Sequence, residues 1–541
     1  MTALSSAGWV FEHARTRPGA PAVDGPGGRL SYGELARAMA ALAGDLRAAG
    51  FGPGCRLVVA LPSAPAAVVA ILAAQMAGGS AVPLDRELHA EPLRKVLAQT
   101  GARHAVILAA DAARWAALGR GGAVLERFWV LPDPDAKRNV ALGALEPSVR
   151  LGDDGAPASA SAPLADAWPV ASSDEALVLF TSGSTGEPRG VVQTYGNVLA
   201  NTRSIVAYLG LGRDDRAMAI LPLFYCYGLS VLQTHLHVGG SVFLEPRSMY
   251  PRLVLDGIAA EGCTGLAGVP LTFELLRRQC DVAAAPKPRL RYVTQAGGAM
   301  APETIRWARR SFHPAPLYVM YGQTEATARL AYLPPERAEE KTGSIGIPIP
   351  GVTLRIVGAE GRELPPREVG ELVARGDNVT AGYLGAPEET AATFRDDGLH
   401  TGDLAYRDGD GFFFIVGRAK EMLKLGGHRV SPIQIEKSVL EHPGVLEAAV
   451  AGIPDAVMGE AAVAFVVCRP GQMVTDRELR SFCRERLPAH CVPRTIRFVT
   501  ALPRGGSGKL LRQELVRMAL SSDPAARGIP GEERSSAIDL E

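Results

Sequence analysis

A glycine- and hydroxyl-rich segment, Thr181–Gly190, carries the clearest chemical signal in the chain. It contains three glycines and four serine or threonine residues, and it directly follows the apolar run Ala176–Phe180. The backbone N–H groups and hydroxyls of such a loop can surround a polyphosphate, and glycine lets the backbone approach the phosphate oxygens. Because the loop lacks the Gly-Lys-Ser/Thr ending of a Walker P-loop, it predicts a phosphate site of another type.

A second segment supplies groups that suit a nucleotide and its metal ion. Tyr321, Thr324 and Glu325 follow a predicted strand, and ligands gather at the carboxyl ends of strands in open α/β sheets. The ring of Tyr321 can stack on a base, and the hydroxyl of Thr324 can meet a phosphate. The carboxylate of Glu325 can hold Mg²⁺ through oxygen.

Three polar residues nearer the C-terminus extend this set. Asp403 can accept hydrogen bonds from both ribose hydroxyls, and Arg418 can add a second fixed contact. Lys509 lies in a glycine-rich turn, and a mobile cation suits the charge that develops during attack on an α-phosphate. Each signal is weak alone, so the prediction of a nucleotide site depends on their joint order along the chain.

Composition and charge exclude several classes of partner. The 541-residue chain has 57 Lys+Arg and 57 Asp+Glu, so no overall field favours nucleic acid or an anionic membrane. Its seven scattered cysteines form no CxxC pair, which indicates reduced thiols. The sequence has no signal-peptide pattern and no apolar run long enough to cross a bilayer. We therefore expect a cytoplasmic enzyme that binds neither nucleic acid nor membrane, and we predict no particular oligomeric state.

The elements that must position these residues alternate between helices and apolar strands, which predicts an α/β fold. We expect a large N-terminal domain over residues 1–417, made of two layered α/β subdomains (about 1–175 and 176–340) and a small β-barrel-like subdomain (341–417). A mobile α+β lid domain over 418–520 and a disordered tail over 521–541 are expected to follow, with an exposed connector at 152–174.

Local signals place several elements more closely. Ser31 is a predicted N-cap, and Pro65 suits the first turn of a helix that runs to Met76. Strands are predicted at Leu290–Val293 and Leu317–Met320.

Taken in order, the motifs resemble the AMP-forming adenylate enzymes, a superfamily of acyl- and aryl-CoA synthetases, luciferases and peptide-synthetase adenylation domains. The resemblance covers roughly residues 5–520 and is strongest in type to the acid–CoA ligases. It implies that ATP activates a small carboxylic acid to acyl-AMP with release of pyrophosphate, and that a thiol then displaces AMP. The implied cofactors are ATP, Mg²⁺ and coenzyme A, or the phosphopantetheine arm of a carrier protein.

The resemblance also implies roles for individual residues. Lys509, Glu325 and Thr185 would act in catalysis, with Glu325 as the metal ligand. Residues 182–186 would hold the β- and γ-phosphates, residues 297–299 and Tyr321 would contact adenine, and Asp403 would bind the ribose with Arg418. The full implied nucleotide-binding set is Thr181, Ser182, Gly183, Ser184, Thr185, Gly186, Arg189, Gly297, Gly298, Ala299, Tyr321, Gly322, Gln323, Thr324, Asp403, Arg418 and Lys509.

For the thiol step, the resemblance implies a second orientation of the C-terminal domain. Lys420 matches the hinge position, and one or two residues between domains can absorb a large backbone rotation. Lys424, Gly426 and Gly427 would then line the thiol tunnel together with Gly297. A tight turn between two strands is the alternative interpretation of Gly426-Gly427.

Three features bear on the acid. Tyr225 and Tyr227 are expected to wall a flat pocket for an aryl or short-to-medium acyl group, with aromatic packing at a sheet edge as the alternative. No acidic residue lies between Leu221 and Gly240, which disfavours an α-amino acid because a buried ammonium needs a carboxylate. Arg189 replaces the usual lysine of the family, but it keeps the charge, so we expect adenylation to survive.

Two rival functions share most of these residues. A stand-alone enzyme that loads a carrier-protein phosphopantetheine thiol would use the same chemistry with a protein as acceptor. A catalytically silent nucleotide sensor would be favoured if Glu325, Asp403 or Lys509 were replaced, but all three are present.

Overall fold

The computed structural model describes residues 4–119, 125–131, 168–182, 188–425, 427–455, 459–504 and 510–520. The predicted tail at 521–541 and most of the predicted connector at 152–174 lie outside them. The chain divides into two compact units: the first comprises Met1–Arg355, Val373–Thr401 and Asp408–Phe414, and the second comprises Ile356–Leu372, Gly402–Arg407 and Ile415–Glu541.

Helices and strands alternate through most of the described residues. The strands are β1 Pro21–Gly25, β2 Gly28–Ser31, β3 Arg56–Ala60, β4 Ser80–Pro83, β5 His104–Leu108, β6 Arg127–Leu131, β7 Glu175–Ser182, β8 Pro188–Thr194, β9 Arg216–Ala219, β10 Ser241–Leu244, β11 Gly265–Gly268, β12 Tyr292–Gln295, β13 Leu317–Tyr321, β14 Ala331–Leu333, β15 Ile347–Pro348, β16 Val352–Val357, β17 Gly370–Gly376, β18 Gly382–Tyr383, β19 Phe394–Arg395, β20 Gly398–Arg407, β21 Phe413–Arg418, β22 Leu423–Leu425, β23 His428–Val430, β24 Val445–Asp455, β25 Gly459–Cys468 and β26 Thr495–Phe498. The α-helices are α1 Ser6–Thr16, α2 Tyr32–Ala48, α3 Pro65–Met76, α4 Ala90–Thr100, α5 Ala112–Gly119, α6 Tyr195–Leu209, α7 Cys226–Val238, α8 Pro251–Ala260, α9 Pro270–Gln279, α10 Pro302–Ser311, α11 Pro387–Thr393, α12 Pro432–Leu440, α13 Asp476–Arg484 and α14 Arg512–Leu520.

Two mostly parallel sheets form the first unit. The larger has the strand order β15-β14-β13-β12-β11-β9-β10-β1-β2, and the smaller has the order β18-β8-β7-β4-β3-β5-β6. Strands β11, β12 and β13 run parallel to one another. Their carboxyl ends therefore lie at one edge of the larger sheet, where the residues after β12 and β13 can share a ligand.

Buried apolar residues of both sheets belong to one continuous core, which also contains α2 and α3. Nearly every residue of α3 is buried, because this Ala-, Val- and Ile-rich helix is apolar on all sides. Pro65 opens α3, and Ser31 caps α2 in a reciprocal pair of hydrogen bonds with Glu34, as predicted. Among the described helices, none is both long enough and apolar enough to cross a membrane.

The second unit contains a sheet that is covered on both faces. Its strand order is β23-β22-β25-β24, and β26 pairs in parallel with β25. Alternate residues of β25 enter different cores: Ala464 joins the core that includes α12 and α13, whereas Phe465 joins the core that includes α14. This alternation follows from the two-residue period of a strand, and it explains why β25 reads as a continuous apolar run.

Candidate active site

The glycine- and hydroxyl-rich segment joins two antiparallel strands of the smaller sheet. Thr181 and Ser182 end β7, where they pair with Arg189 and Pro188 of β8. The predicted phosphate-binding residues between these strands, Gly183, Ser184, Thr185 and Gly186, lie outside the described residues. The described flanks, β7 and β8, are thus antiparallel neighbours that are adjacent in the chain order of the strands.

Arg189 of β8 forms a two-point ion pair with Glu389. Its Nε and Nη2 atoms lie 3.1 and 3.2 Å from the two carboxylate oxygens of Glu389. The guanidinium carbon also lies 5.7 Å from the ring centroid of Tyr383, within the range of a cation–π contact. An arginine fork can make both contacts at once, whereas an ammonium offers no matching planar pair of donors.

Tyr383 connects this cation to the predicted metal ligand. Its hydroxyl donates a hydrogen bond of 2.9 Å to Oε1 of Glu325. Burial, reinforced by the charge of Glu325, raises the pKa of Tyr383 well above its ordinary value, so the phenol stays a donor at neutral pH. The hydrogen bond fixes one carboxylate oxygen of Glu325. Sequence reasoning missed Tyr383 and Glu389, because nothing near either residue signals a partner 58 or 200 positions away.

The loop that carries Thr324 and Glu325 is held in a strained shape. Thr324 begins a single 3₁₀ turn, and Thr327 follows with φ 65° and ψ −62°. The amide of Ala328 bonds back to the carbonyl of Ala326 at 2.7 Å, which closes a rare and strained γ-turn. The buried side-chain amide of Gln193 donates to the carbonyls of Thr324 and Thr327. Strain of this kind persists only where neighbours hold it, typically at functional sites.

The predicted adenine-binding residues follow two adjacent parallel strands. Gly297, Gly298 and Ala299 come shortly after β12 and are exposed, and Tyr321 ends β13 beside it. Gly322 and Gln323 lie partly buried between Tyr321 and Thr324.

Gly297 permits a close approach by an aromatic side chain. It has φ +84°, and a Cβ atom there would lie 2.6 Å from the hydroxyl oxygen of Tyr225. Any larger residue would displace Tyr225 and strain the backbone. A Cβ atom on Gly298 would instead meet nothing closer than 3.5 Å. The structure therefore brings Tyr225 and Gly297 together.

Tyr227 lies deeper, in the first turn of α7. It is buried, and its hydroxyl lies 2.7 Å from Oγ1 of Thr294 on β12. Its ring lies 6.4 Å from that of Tyr225 in an edge-to-face arrangement. Tyr227 therefore packs against β12 and also lines a small cavity.

The second unit pairs the two residues predicted to bind the ribose. Nε of Arg418 donates a 2.8 Å hydrogen bond to Oδ1 of the buried Asp403. Lys420 lies in a single 3₁₀ turn directly after β21. Lys424 lies on the exposed side of β22, and Gly427 has φ +83° in the turn of the β22–β23 hairpin. Gly426 and Lys509 lie outside the described residues.

The candidate metal ligand is a single carboxylate. No cluster of three or more His, Cys, Asp or Glu side chains that would hold a metal occurs in the part of the chain that the structure describes. One carboxylate together with substrate phosphates is the usual way in which proteins hold Mg²⁺ at a nucleotide. The donor set at Glu325 therefore fits a Mg²⁺ ion that arrives with ATP.

Comparison with known proteins gives a consistent family. Residues 10–384 match the AMP-binding enzyme family, and residues 434–509 match the AMP-binding enzyme C-terminal domain. Feruloyl-CoA synthase from Amycolatopsis sp is 35% identical over 94% of this chain and 98% of that protein. Sulfoacetate–CoA ligase from Cupriavidus necator is 35% identical over 91% of this chain and 93% of that protein.

Solved structures agree with these relatives. The chain resembles the o-succinylbenzoate CoA synthetase of Bacillus subtilis in complex with its acyl-adenylate intermediate, with a TM-score of 0.80 and 27% identity over 94% of this chain and 97% of that protein. The same synthetase has been solved with ATP and a magnesium ion.

These similarities decide several of the predictions made from sequence. The α/β fold with a large N-terminal domain and a smaller C-terminal domain is confirmed. The predictions of a CoA ligase that forms an acyl adenylate, and of ATP, Mg²⁺ and coenzyme A as its cofactors, are also confirmed. The chain belongs to the AMP-binding enzyme family, as an AMP-forming acid–thiol ligase.

Proposed function

We propose that this ligase activates an aromatic or short-to-medium carboxylic acid at the exposed ends of β12 and β13 and passes the acyl group to coenzyme A. The observation that carries the proposal is the pair of contacts that Tyr383 makes at this site. Tyr383 orients Glu325, while Arg189 of the hydroxyl-rich segment lies against the same ring. A hard oxygen donor and a fixed cation beside a phosphate-binding loop are the parts that adenylation requires.

Each predicted residue has a role in this proposal. The segment 182–186 binds the β- and γ-phosphates with Arg189, Thr324 binds the α-phosphate, and Glu325 holds Mg²⁺. Residues 297–299 and Tyr321 contact adenine. Mg²⁺, when bound, supplies positive charge that offsets the developing charge on the phosphates. Tyr383 keeps one oxygen of Glu325 occupied, which leaves the other free to face the metal.

The second unit supplies the remaining groups. Asp403, oriented by Arg418, accepts the ribose hydroxyls, and Lys509 stabilises charge during attack on the α-phosphate. Lys420 is the proposed hinge of a mobile lid over 418–520. Gly426 and Gly427 leave room for a pantetheine arm beside Lys424, and this agrees with the open space around the Gly427 Cα.

Two observations support an aromatic acid. The rings of Tyr225 and Tyr227 meet edge to face beside Gly297, and α7 carries no acidic residue that would pair with an ammonium group. The names of feruloyl-CoA synthase and 2-succinylbenzoate–CoA ligase, both similar to this chain, denote aromatic acids.

All seven cysteines are free thiols, which supports the proposed location in the cytoplasm.

A panel of acids tests both the acid and the acceptor. The purified chain is mixed with ATP, Mg²⁺ and cinnamates, benzoates, linear fatty acids or α-amino acids, and pyrophosphate release is measured. Each active acid is then offered to coenzyme A and, separately, to a holo-carrier protein, and thioesters are identified by mass spectrometry. We expect aromatic or short acyl thioesters of coenzyme A. Thioester on the carrier but never on coenzyme A would contradict the proposed acceptor, and a preference for α-amino acids would contradict the proposed pocket.

A further inference from the structure

One cation inside the first unit has no carboxylate to neutralise it. Arg329 is 2% exposed and lines a cavity of about 20 Å³ between α6, α7 and strands β11 and β12. Among the described residues, no acidic oxygen lies within 4.0 Å of its guanidinium, and its Nε atom has no hydrogen-bond partner. A buried charge without a partner is costly, and arginine cannot shed its proton to avoid that cost.

The neighbours of Arg329 are polar but neutral. Its guanidinium carbon lies 4.6 Å from the ring centroid of Tyr227, which gives a cation–π contact and no net negative charge. Burial raises the pKa of both Tyr227 and Tyr208, the second tyrosine beside the guanidinium, so each remains a neutral phenol.

Histidine adds no charge to this cavity either. Nδ1 of His235 lies 2.8 Å from the carbonyl of Val231, and because a carbonyl can only accept, that nitrogen is the donor. Nε2 therefore accepts from the hydroxyl of Tyr292 at 2.9 Å. Burial lowers the pKa of His235, which agrees with a neutral ring. Arg329 is thus the single charged side chain among the residues described as lining the cavity.

The backbone holds Arg329 firmly in this place. Its carbonyl accepts hydrogen bonds from the side-chain amides of Asn201 and Asn378, at 3.1 and 2.8 Å. Both asparagines are buried. The backbone that carries this cation is therefore fixed beside the cavity.

One residue that lines the cavity, Tyr227, is also a predicted residue of the candidate active site, and other lining residues lie close to that site in sequence. Tyr227 is two residues from Tyr225, Thr294 is three residues before Gly297, and Arg329 ends the strained loop that carries Glu325. The open space of about 20 Å³ exceeds the roughly 10–15 Å³ that one bound water needs. It therefore has room for one oxygen of a polar head group.

We propose that the acid activated by this chain carries a second anionic group, a carboxylate or a sulfonate, and that Arg329 binds it at the inner end of the acyl pocket. The inference rests on the proposed function, because it assigns the acid class of that same site. An anion supplies the negative charge that would neutralise Arg329, and the arginine fork can bind an anion with two donors. Arg329 is therefore a specificity-determining residue.

Matched pairs of acids test this proposal. Terephthalate is compared with 4-methylbenzoate, and adipate with hexanoate, by acid-dependent exchange of labelled pyrophosphate into ATP. We expect kcat/KM to favour the anionic member of a pair by about tenfold or more, because an unpaired buried cation discriminates strongly against a neutral group. Arg329→Met should remove that preference, whereas Arg329→Lys should restore part of it.

A control variant and a folding check keep the outcomes separate. Arg213→Met changes an exposed arginine of the same unit, and it should leave the preference unaltered. Thermal melting should show that Arg329→Met is folded, since replacing a buried unpaired charge by an apolar side chain removes a desolvation cost. Exchange that favours neutral acids, or a preference that survives in Arg329→Met, overturns the inference and leaves the ligase intact. No exchange with any acid overturns the proposed function instead.

Discussion

Replacing Arg189 with lysine tests how the proposed phosphate-binding segment uses its cation. In the structure the guanidinium makes a two-point ion pair with Glu389, whose side chain is 47% exposed, and stacks on Tyr383. An exposed ion pair is worth about 0.2–1 kcal/mol, and a cation–π contact of this kind about 0.5–1 kcal/mol. Lysine keeps the charge but loses the fork, so we expect a loss of about 1 kcal/mol, or a fall of about fivefold in the adenylation rate.

The assay is acid-dependent pyrophosphate exchange at saturating ATP, measured for Arg189→Lys, Glu389→Gln and the double variant. Because Glu389 only orients the cation, the loss in the double variant should be smaller than the sum of the two single losses. A fall of more than about tenfold in Arg189→Lys, or about 1.4 kcal/mol, would refute this reasoning. The planar fork of Arg189, and not its charge alone, would then be needed for its action on the phosphates. Strictly additive losses would show that Glu389 does not orient Arg189.

Two further substitutions probe one contact inside each unit. Tyr383→Phe removes the hydrogen bond to Glu325, and a hydrogen bond to a charged group is worth about 1.5–3 kcal/mol. The Mg²⁺ concentration for half-maximal activity should therefore rise about tenfold. The control Tyr250→Phe, which changes an exposed ring, should leave that concentration unchanged. Arg512→Met leaves the buried Glu436 without the guanidinium that lies 2.6 Å away. Because a buried carboxylate then has no partner, the second unit should lose about 3–5 kcal/mol of stability. Hydrogen exchange measures this loss, and unaltered protection of the β24 amides would contradict the prediction.

Local signals predicted most elements well, because they depend on neighbours in sequence. Ser31 caps its helix and Pro65 opens the next one, as the cap and first-turn rules predict. The strand predicted at Leu290–Val293 was wrong by two residues, since β12 spans Tyr292–Gln295. Leu290 is buried, but it lies at the end of a turn in which its amide donates a hydrogen bond of 3.2 Å to the carbonyl of Lys287. An apolar residue at the end of a turn is indistinguishable from a strand residue in the sequence.

The contacts that orient the side chains of the site could not be predicted from the sequence. Motif order identified Glu325 and Arg189, but no local pattern connects Glu325 with Tyr383, 58 positions away, or Arg189 with Glu389, 200 positions away. Arg329 was missed for a related reason. A charged residue after a loop is ordinarily solvated, and only the packing of α7 and β12 around it reveals a buried cation.

Exchange of labelled pyrophosphate into ATP is the most direct measurement of the central claim, that this chain adenylates a carboxylic acid with Lys509 as the adenylation lysine. With an active acid, the wild-type chain should incorporate label only when that acid is present. Lys509→Ala should still bind ATP, as followed by calorimetry, but should lose acid-dependent exchange. Label that enters ATP without any acid, or exchange that is unchanged in Lys509→Ala, would contradict the account.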